Sequence, residues 1–424
     1  MRTKILPLLV ALILTACSSS QSLTPSSRPN SQPTPAPAAA PLTTNTPVPS
    51  PTATPVPIGG GQLLVAFYAS GSCGACIIVG NFFTGEVFHT IPLSNPQMGK
   101  IFWSPDGNNF LYTEITSRMN VFMFNLSTGQ AKKLGDFPPS GGTPEFTNAL
   151  KYVSWSYDGE YVRFNVYHED SKVRTSYYAT KDGTLNSYSG GDHWFPDSRT
   201  LFSIYKGFDS YNVETKTSAP TFTAVLEKFK ATYFLKNWII LERENTKVSA
   251  IPFPEGWSND DAWLDNTLYS QMFTLAELTP EISNRKISLD IVQPIDENRI
   301  ALIGSVYTSS QWGYFVKLVD LQNLPAIITL DDTLPATADT PLIVSPDGNF
   351  YVKAYCTFTE ACPHFDANFE KMITRAWGFL VVSFNGEEQA LPADLSQFKG
   401  VTKAYINVIN TSVGLLDGIA FYWK

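Results

Sequence analysis

The sequence predicts an all-β fold made of repeated four-stranded antiparallel units, and three observations carry that prediction. The first is composition: 13% aromatic and 16% charged residues with 30 Pro and 27 Gly, a balance rich in strand and turn formers. The second is a recurring phrase, best seen in Ile101–Glu114, IFWSPDGNNFLYTE. It reads as a short apolar strand, a Ser-Pro-Asp-Gly corner, and a second strand. Pro presets φ, Asp bonds its own backbone, and Gly accepts positive φ. The third is a pair of further β-prone runs after the corner, joined by a tight turn, as in Asn120–Leu126, Ser127-Thr128-Gly129 and Gln130–Leu134. Four strands repeated on one corner make a propeller blade, so the predicted fold class is a β-propeller.

In chain order, residues 1–17 are not part of that fold. Arg2 and Lys4 make a basic start, Ile5–Leu14 is apolar, and Leu14-Thr15-Ala16-Cys17 comes next. This resembles the bacterial lipoprotein signal, in which the Cys becomes the N-terminus and carries lipid. The resemblance implies lipidation, with palmitate-class acyl chains, at Cys17. It also implies a protein held on a bacterial cell membrane or outer surface, outside the cytoplasm, with the membrane as a partner. The apolar run is too short to span a bilayer. Residues 18–58 are Ser, Thr, Pro and Ala with almost nothing to bury, and read as a disordered, extended tether.

Residues 59–424 form the predicted propeller domain. The corner returns in Val153–Phe164 (VSWSYDGEYVRF), His193–Phe202 (HWFPDSRTLF), Ala262–Ser270, Val292–Leu302 and Ile343–Val352 (IVSPDGNFYV). Its aspartates are Asp106, Asp158, Asp197, Asp265, Asp296 and Asp347, with Gly107, Gly159 and Gly348 behind three of them. These Asp and Gly residues are assigned to the turns themselves. A four-stranded blade needs about 40 residues, and the long interval after Asp197 hides a further corner at Leu235-Lys236-Asn237. The spacing predicts seven blades, with six or eight as alternatives. Residues 62–92 supply strands with no corner before them, so Ile419–Trp423 or Tyr405–Ile409 is expected to complete that blade. Joining the chain ends this way removes a free sheet edge. Thr274–Lys286 reads as holding a turn of helix.

The aromatic-Ser-Pro-Asp-Gly phrase resembles the WD-like propeller repeats of the TolB type. The match is specific at 103–107 and 345–348, and looser at 153–159 and 193–198. The resemblance implies a β-propeller and no single activity, because such propellers serve as interaction platforms, ligand sites and enzyme domains. The TolB family itself carries a separate α/β domain before its propeller; here the tether stands in that place.

Once Cys17 is set aside, Cys73, Cys76, Cys356 and Cys362 remain, an even number that suggests disulfides outside the cytoplasm. Local pairs 73–76 and 356–362 are the first expectation, and cross-blade pairs the other. A Cys₄ zinc site prefers tighter spacing, and a redox Cys-x-x-Cys belongs at a helix start, so no metal site is assigned. The four His (His89, His168, His193, His364) show no metal or catalytic spacing. No Gly-x-Ser-x-Gly, His-Glu-x-x-His or phosphate loop occurs. No catalytic residue and no cofactor is assigned. The net charge of −8 argues against nucleic acid. Two insertions, Gly135–Leu150 and Thr357–Arg375, exceed what a connection needs. The functional expectation is a monomeric binding or scaffold protein for a protein, peptide or glycan of the cell envelope. The alternative is a glycan-acting hydrolase or lyase with its site at the propeller axis.

Overall fold

The computed structural model describes residues 61–94, 99–137, 150–168, 173–189, 191, 193–202, 209–220, 231–243, 247–252, 273–278, 286–307, 312–322, 328–330, 340–356, 377–384, 388–391, 395, 397–405, 407–408 and 416–424. The chain divides into two units, Met1–Thr54 and Pro55–Lys424, and every described residue belongs to the second. Segments 1–17 and 18–58 with Cys17, the corner Ala262–Ser270, residues 138–149 of one insertion, Thr357–Arg375, Cys362 and His364 lie outside the described residues.

Blade 1 holds β1 (Leu63–Gly71), β2 (Gly74–Asn81) and β3 (Val87–Pro92). Blade 2 is β4 (Ile101–Trp103), β5 (Asn109–Ile115), β6 (Met119–Asn125) and β7 (Gln130–Phe137). Blade 3 is β8 (Leu150–Trp155), β9 (Tyr161–His168), β10 (Val173–Thr180) and β11 (Leu185–Tyr188). Blade 4 is β12 (His193–Trp194), β13 (Thr200–Phe202), β14 (Asp209–Asn212) and β15 (Thr217–Pro220). Blade 5 is β16 (Ala231–Phe234), β17 (Trp238–Arg243), β18 (Lys247–Pro252) and β19 (Phe273–Leu278). Blade 6 has β20 (Lys286–Pro294), β21 (Arg299–Tyr307) and β22 (Trp312–Asp320), after which comes β23 (Ile328–Leu330). Blade 7 is β24 (Thr340–Val344), β25 (Phe350–Cys356), β26 (Trp377–Ser383) and β27 (Glu388–Leu391). The chain ends with β28 (Val401–Tyr405), β29 (Asn407–Val408), β30 (Leu416–Asp417) and β31 (Ile419–Trp423). Within each blade neighbouring strands run antiparallel, and seven blades form the propeller ring. Among the described residues there is no helix.

The strands alternate because both faces of every blade are buried against a neighbour. On β5, Phe110 and Tyr112 pack toward blade 1 with Tyr68, Ile77 and Val79, while Leu111 packs toward blade 3 with Val162 and Phe164. On β21, Ile300 and Leu302 meet blade 5, and Ala301 and Ile303 meet blade 7. A period of two therefore feeds two seams from one strand. Each fully buried Leu, Ile or Phe in a seam contributes about 1.5–3 kcal/mol. The outermost strands carry the polar residues, as in β7, where Gln130–Lys133 are exposed.

Four findings refine the sequence reading. The closing strand of blade 1 comes in two pieces. β31 pairs with Leu63–Phe67 and β28 with Tyr68–Gly71. Ile419–Trp423 supplies one half as expected, but the other half is Val401–Tyr405, not Tyr405–Ile409, whose Asn407–Val408 pairs instead with Leu416–Asp417 in a small hairpin. The corner of blade 5 is Leu235–Trp238, where the Leu235 N–H donates to the Trp238 carbonyl at 2.8 Å; Ala262–Ser270 falls in the chain between β18 and β19. The expected helical turn in Thr274–Lys286 is corrected: Phe273–Leu278 is strand β19, and Lys286 opens β20. Pairing with β18 satisfies the backbone there and overrides the helix preference of Leu, Ala and Glu. Blade 6 is the irregular one, since β23 lies parallel to β19 of blade 5 and not beside β22.

Candidate functional site

The ring has two ends, set by strand direction. The first-to-second strand corners and the third-to-fourth strand turns share one end. The second-to-third strand turns and the blade-to-blade connections share the other.

At the corner end, three of the turns are built the same way. Ser104 Oγ donates to Asp106 Oδ1 at 2.5 Å and receives the Asn109 N–H at 2.9 Å. Ser156 with Asp158 and Ser345 with Asp347 repeat this at 2.7 and 2.5 Å. Asp197, which has no Ser at that position, accepts from the Arg199 and Thr200 amides, both at 2.8 Å, and from Thr200 Oγ1 at 2.6 Å. Gly107, Gly159 and Gly348 stand at φ of 65, 72 and 74°, where a Cβ would be strained.

Neighbouring corners are tied together. Arg199 donates to the carboxylates of Asp158 and Glu214 and lies 5.1 Å over the Tyr161 ring. Arg299 holds Asp296 at 2.7 Å and reaches the Asp347 carbonyl at 3.2 Å. Tyr157 donates its hydroxyl to the Phe234 carbonyl and stands 3.4 Å from that of Trp194, so one corner residue of blade 3 touches blades 4 and 5. Burial pushes the Tyr157 hydroxyl far above its ordinary titration range, so it acts as a neutral donor.

These contacts define what the corner carboxylates do. Burial alone would raise Asp106, Asp158 and Asp347, but the Ser hydroxyls, the following amides and, for Asp158, Arg199 outweigh it and hold all three below the usual carboxylate range. A general acid needs the opposite shift. The geometry makes them turn anchors. His89 and His193 are packing residues as well. His89 Nε2 lies 2.8 Å from the Leu126 carbonyl and its ring meets Phe124 at 5.3 Å, and His193 sits 5.1 Å from Phe234. No group of three His, Cys, Asp or Glu that could hold a metal occurs among the described residues.

The other end has a different character. The strands flanking 138–149, 221–230, 331–339 and 357–376 all finish there. The Cys73–Cys76 disulfide closes the β1–β2 turn at this end. Cys356 ends β25 in the adjacent blade 7; its pairing with Cys362 falls outside the described residues. Glu114, 7% exposed, accepts from the backbone N–H and the hydroxyl of Ser94. Tyr68 donates its hydroxyl to the Thr113 carbonyl. The hairpin of β29 and β30 leaves the middle of the closing strand, the strand nearest the ring axis. Sequence reasoning missed this excursion; its one local signal is Gly418, at φ 84°, set between Asp417 and the apolar run Ile419–Trp423. The end that carries the connections is the candidate ligand-facing surface, since the corner end is spent on holding blades together.

The fold makes this chain a β-propeller of seven blades. No protein-family model matches it, and no curated protein does. Solved structures do resemble it. TolB from Acinetobacter baumannii is 13% identical, with 85% of this chain and 66% of that one covered and a TM-score of 0.37. The chain thus spans just under two thirds of the length of that protein. The β-propeller domain of the Trilobed protease from Pyrococcus furiosus is 11% identical, covering 78% of this chain and 95% of that one, with a TM-score of 0.39. The acylaminoacyl peptidase of Pyrococcus horikoshii is 12% identical, covering 78% and 50%, also with a TM-score of 0.39.

Proposed function

We propose that the protein is a lipid-anchored, extracytoplasmic binding or scaffold propeller that holds a protein, peptide or glycan of the bacterial cell envelope. The observation that carries this reading is the order of parts in the sequence: a basic-apolar leader ending at Cys17, a Pro/Thr/Ser tether, and then the propeller. A tether of about 40 residues at roughly 3 Å per residue reaches up to ~100 Å from a membrane. Such reach suits a protein that presents a surface, and the ring end bearing the blade-to-blade connections, free of the ties that lock the corners, is the surface to present.

Two measurements test it. Cys17→Ala is expected to release the protein from membranes or block its maturation; a variant that fractionates with membranes in the processed form overturns the anchor. Cross-linking on intact cells is then done with the full chain and with a chain in which 138–149 and 357–376 are shortened. The full chain is expected to capture an envelope component that the shortened one loses. Turnover of a cell-wall glycan by the purified protein would replace the binding reading with the hydrolase or lyase one.

A further inference from the structure

We infer that the Cys73–Cys76 disulfide is a redox-operated latch on the seam where the two ends of the propeller chain meet. The disulfide closes the β1–β2 turn, and that turn receives the returning chain. Ser72 N–H donates to the Gly400 carbonyl at 2.9 Å, and Thr402 Oγ1 donates to the Ser70 carbonyl at 3.0 Å. The fit is close. A Cβ on Gly71 would fall 2.0 Å from Gly400 O, and one on Gly400, at φ 87°, would fall 2.5 Å from Ser72 Oγ. The turn also carries Gly74 at φ 72°, so without a crosslink Gly71 and Gly74 leave it free to take many shapes. Here β28 pairs with only Tyr68, Ala69, Ser70 and Gly71, and its register slips between Ser70 and Gly71. The partner half, β31, is held independently through regular pairing with Leu63–Phe67 and through the Tyr422 hydroxyl on the Pro105 carbonyl at 2.6 Å. The weaker half of the closing strand is the half the disulfide supports.

The ring bridged by residues 73 and 76 is short, so it removes little entropy from the unfolded chain. Its effect falls on the shape of the tip and therefore on β28. Opening the latch is a two-electron exchange with an external dithiol. One thiolate attacks the half-buried Cys73 sulfur, and the S–S bond breaks. The buried Cys76, 0% exposed, leaves as thiolate and takes up a proton. The second thiol of the reductant then displaces Cys73, which is protonated in turn, and the reductant departs as a disulfide.

The test is hydrogen exchange on the full chain, oxidised and dithiol-treated, beside Cys73→Ala under both conditions. Reduction is expected to speed exchange at 70–73 and 401–404 by about tenfold or more, while 419–423 changes by less than about twofold. Cys73→Ala should show the fast pattern without dithiol and no further response to it. Unchanged exchange at 401–404 on reduction, equal acceleration at 419–423, or a dithiol response that persists in Cys73→Ala would each overturn the latch. If the variant does not fold, the oxidised and reduced natural chains decide by the first two readouts.

Discussion

The indole N–H of Trp155 donates to the Phe102 carbonyl at 3.2 Å, joining the first strand of blade 3 to the first strand of blade 2. The relation repeats around the ring: Trp103 reaches Ala420 at 3.3 Å and Trp194 reaches Ser154 at 3.1 Å. Each Trp stands immediately before a corner and grips the preceding blade. In blade 1 that place falls to Phe421, opposite Val65 as Trp103 is opposite Phe110; Trp423, two residues on, has its indole nitrogen buried with no hydrogen-bond partner among the described residues.

This contrast gives opposite expectations for one substitution. Trp155→Phe keeps most of the packing and loses a hydrogen bond, so it should cost about 1 kcal/mol. Trp423→Phe removes a buried donor that is not satisfied and should be neutral or stabilising by up to about 1 kcal/mol. Denaturant melts of the two variants check this, and equal losses would show that the indole contacts contribute only as packing.

The corner glycine is a second site of opposite expectations. Gly107 stands at φ 65°, and a Cβ there would meet the Tyr422 ring at 2.1 Å. Gly107→Ala should therefore cost about 2–4 kcal/mol from left-handed strain and overpacking together. Ser198 fills the matching place in the third corner at φ 59°. Ser198→Gly relieves strain there and should stabilise by about 0.5–1 kcal/mol. Thermal unfolding with both variants shifting the same way would refute the common geometry of the two corners.

The corners were legible in the sequence because their chemistry is local: Ser, Asp and Gly at fixed offsets make the same bonds wherever they occur. Their spacing was enough to give the blade count. Features that depend on partners far along the chain could not be read. Phe273–Leu278 contains helix formers and is a strand because β18 lies beside it. The crossing of β23 to blade 5, and the split of the closing strand between β28 and β31, involve pairings that leave no mark on local pattern. For the candidate surface, the Cys73–Cys76 pairing was readable from a three-residue spacing. Glu114 and Ser94 were not, because a buried carboxylate looks like any strand-end acid until its partner is placed.

Acid should loosen the corners. Asp106, Asp158 and Asp347 titrate lower in the fold, where Ser hydroxyls and backbone amides overcome the effect of burial; Asp296 does so through Arg299. A carboxylate depressed in the fold stabilises fully above its unfolded value, about 3.9. That stabilisation is lost as pH falls through the lower folded value. The melting temperature is expected to hold from pH 7 to about pH 5 and to drop as pH falls below about 4. The double variant Asp106→Asn/Asp347→Asn should melt lower at neutral pH and show a shallower acid slope. Parallel slopes for the variant and the natural chain would mean that other groups set the acid limit.

The hairpin in the closing strand should be dispensable, and the strand itself should not. Tyr405 pairs with Tyr68 and Ile419 with Phe67, which are consecutive on β1. Joining Tyr405 directly to Ile419 would thus give one unbroken strand in the existing register, with residues 406–418 removed. Among the described residues the bonds forfeited are Tyr68 N–H to Gly418 O at 2.8 Å, Gly418 N–H to Gly99 O at 3.0 Å, and the short β29–β30 pairing. The excised chain is expected to stay monomeric and to melt within a few degrees of the parent, since a shorter loop offsets part of the loss. Removing 419–424 instead strips the partner from Leu63–Phe67, all of them buried, and exposes a strand edge that invites association with another chain. That truncation should lose cooperative unfolding or aggregate. Calorimetry and size-exclusion chromatography on both deletions decide the matter. An excised ring that collapses, or a truncated one that melts like the parent as a monomer, would refute this account of how the ring closes.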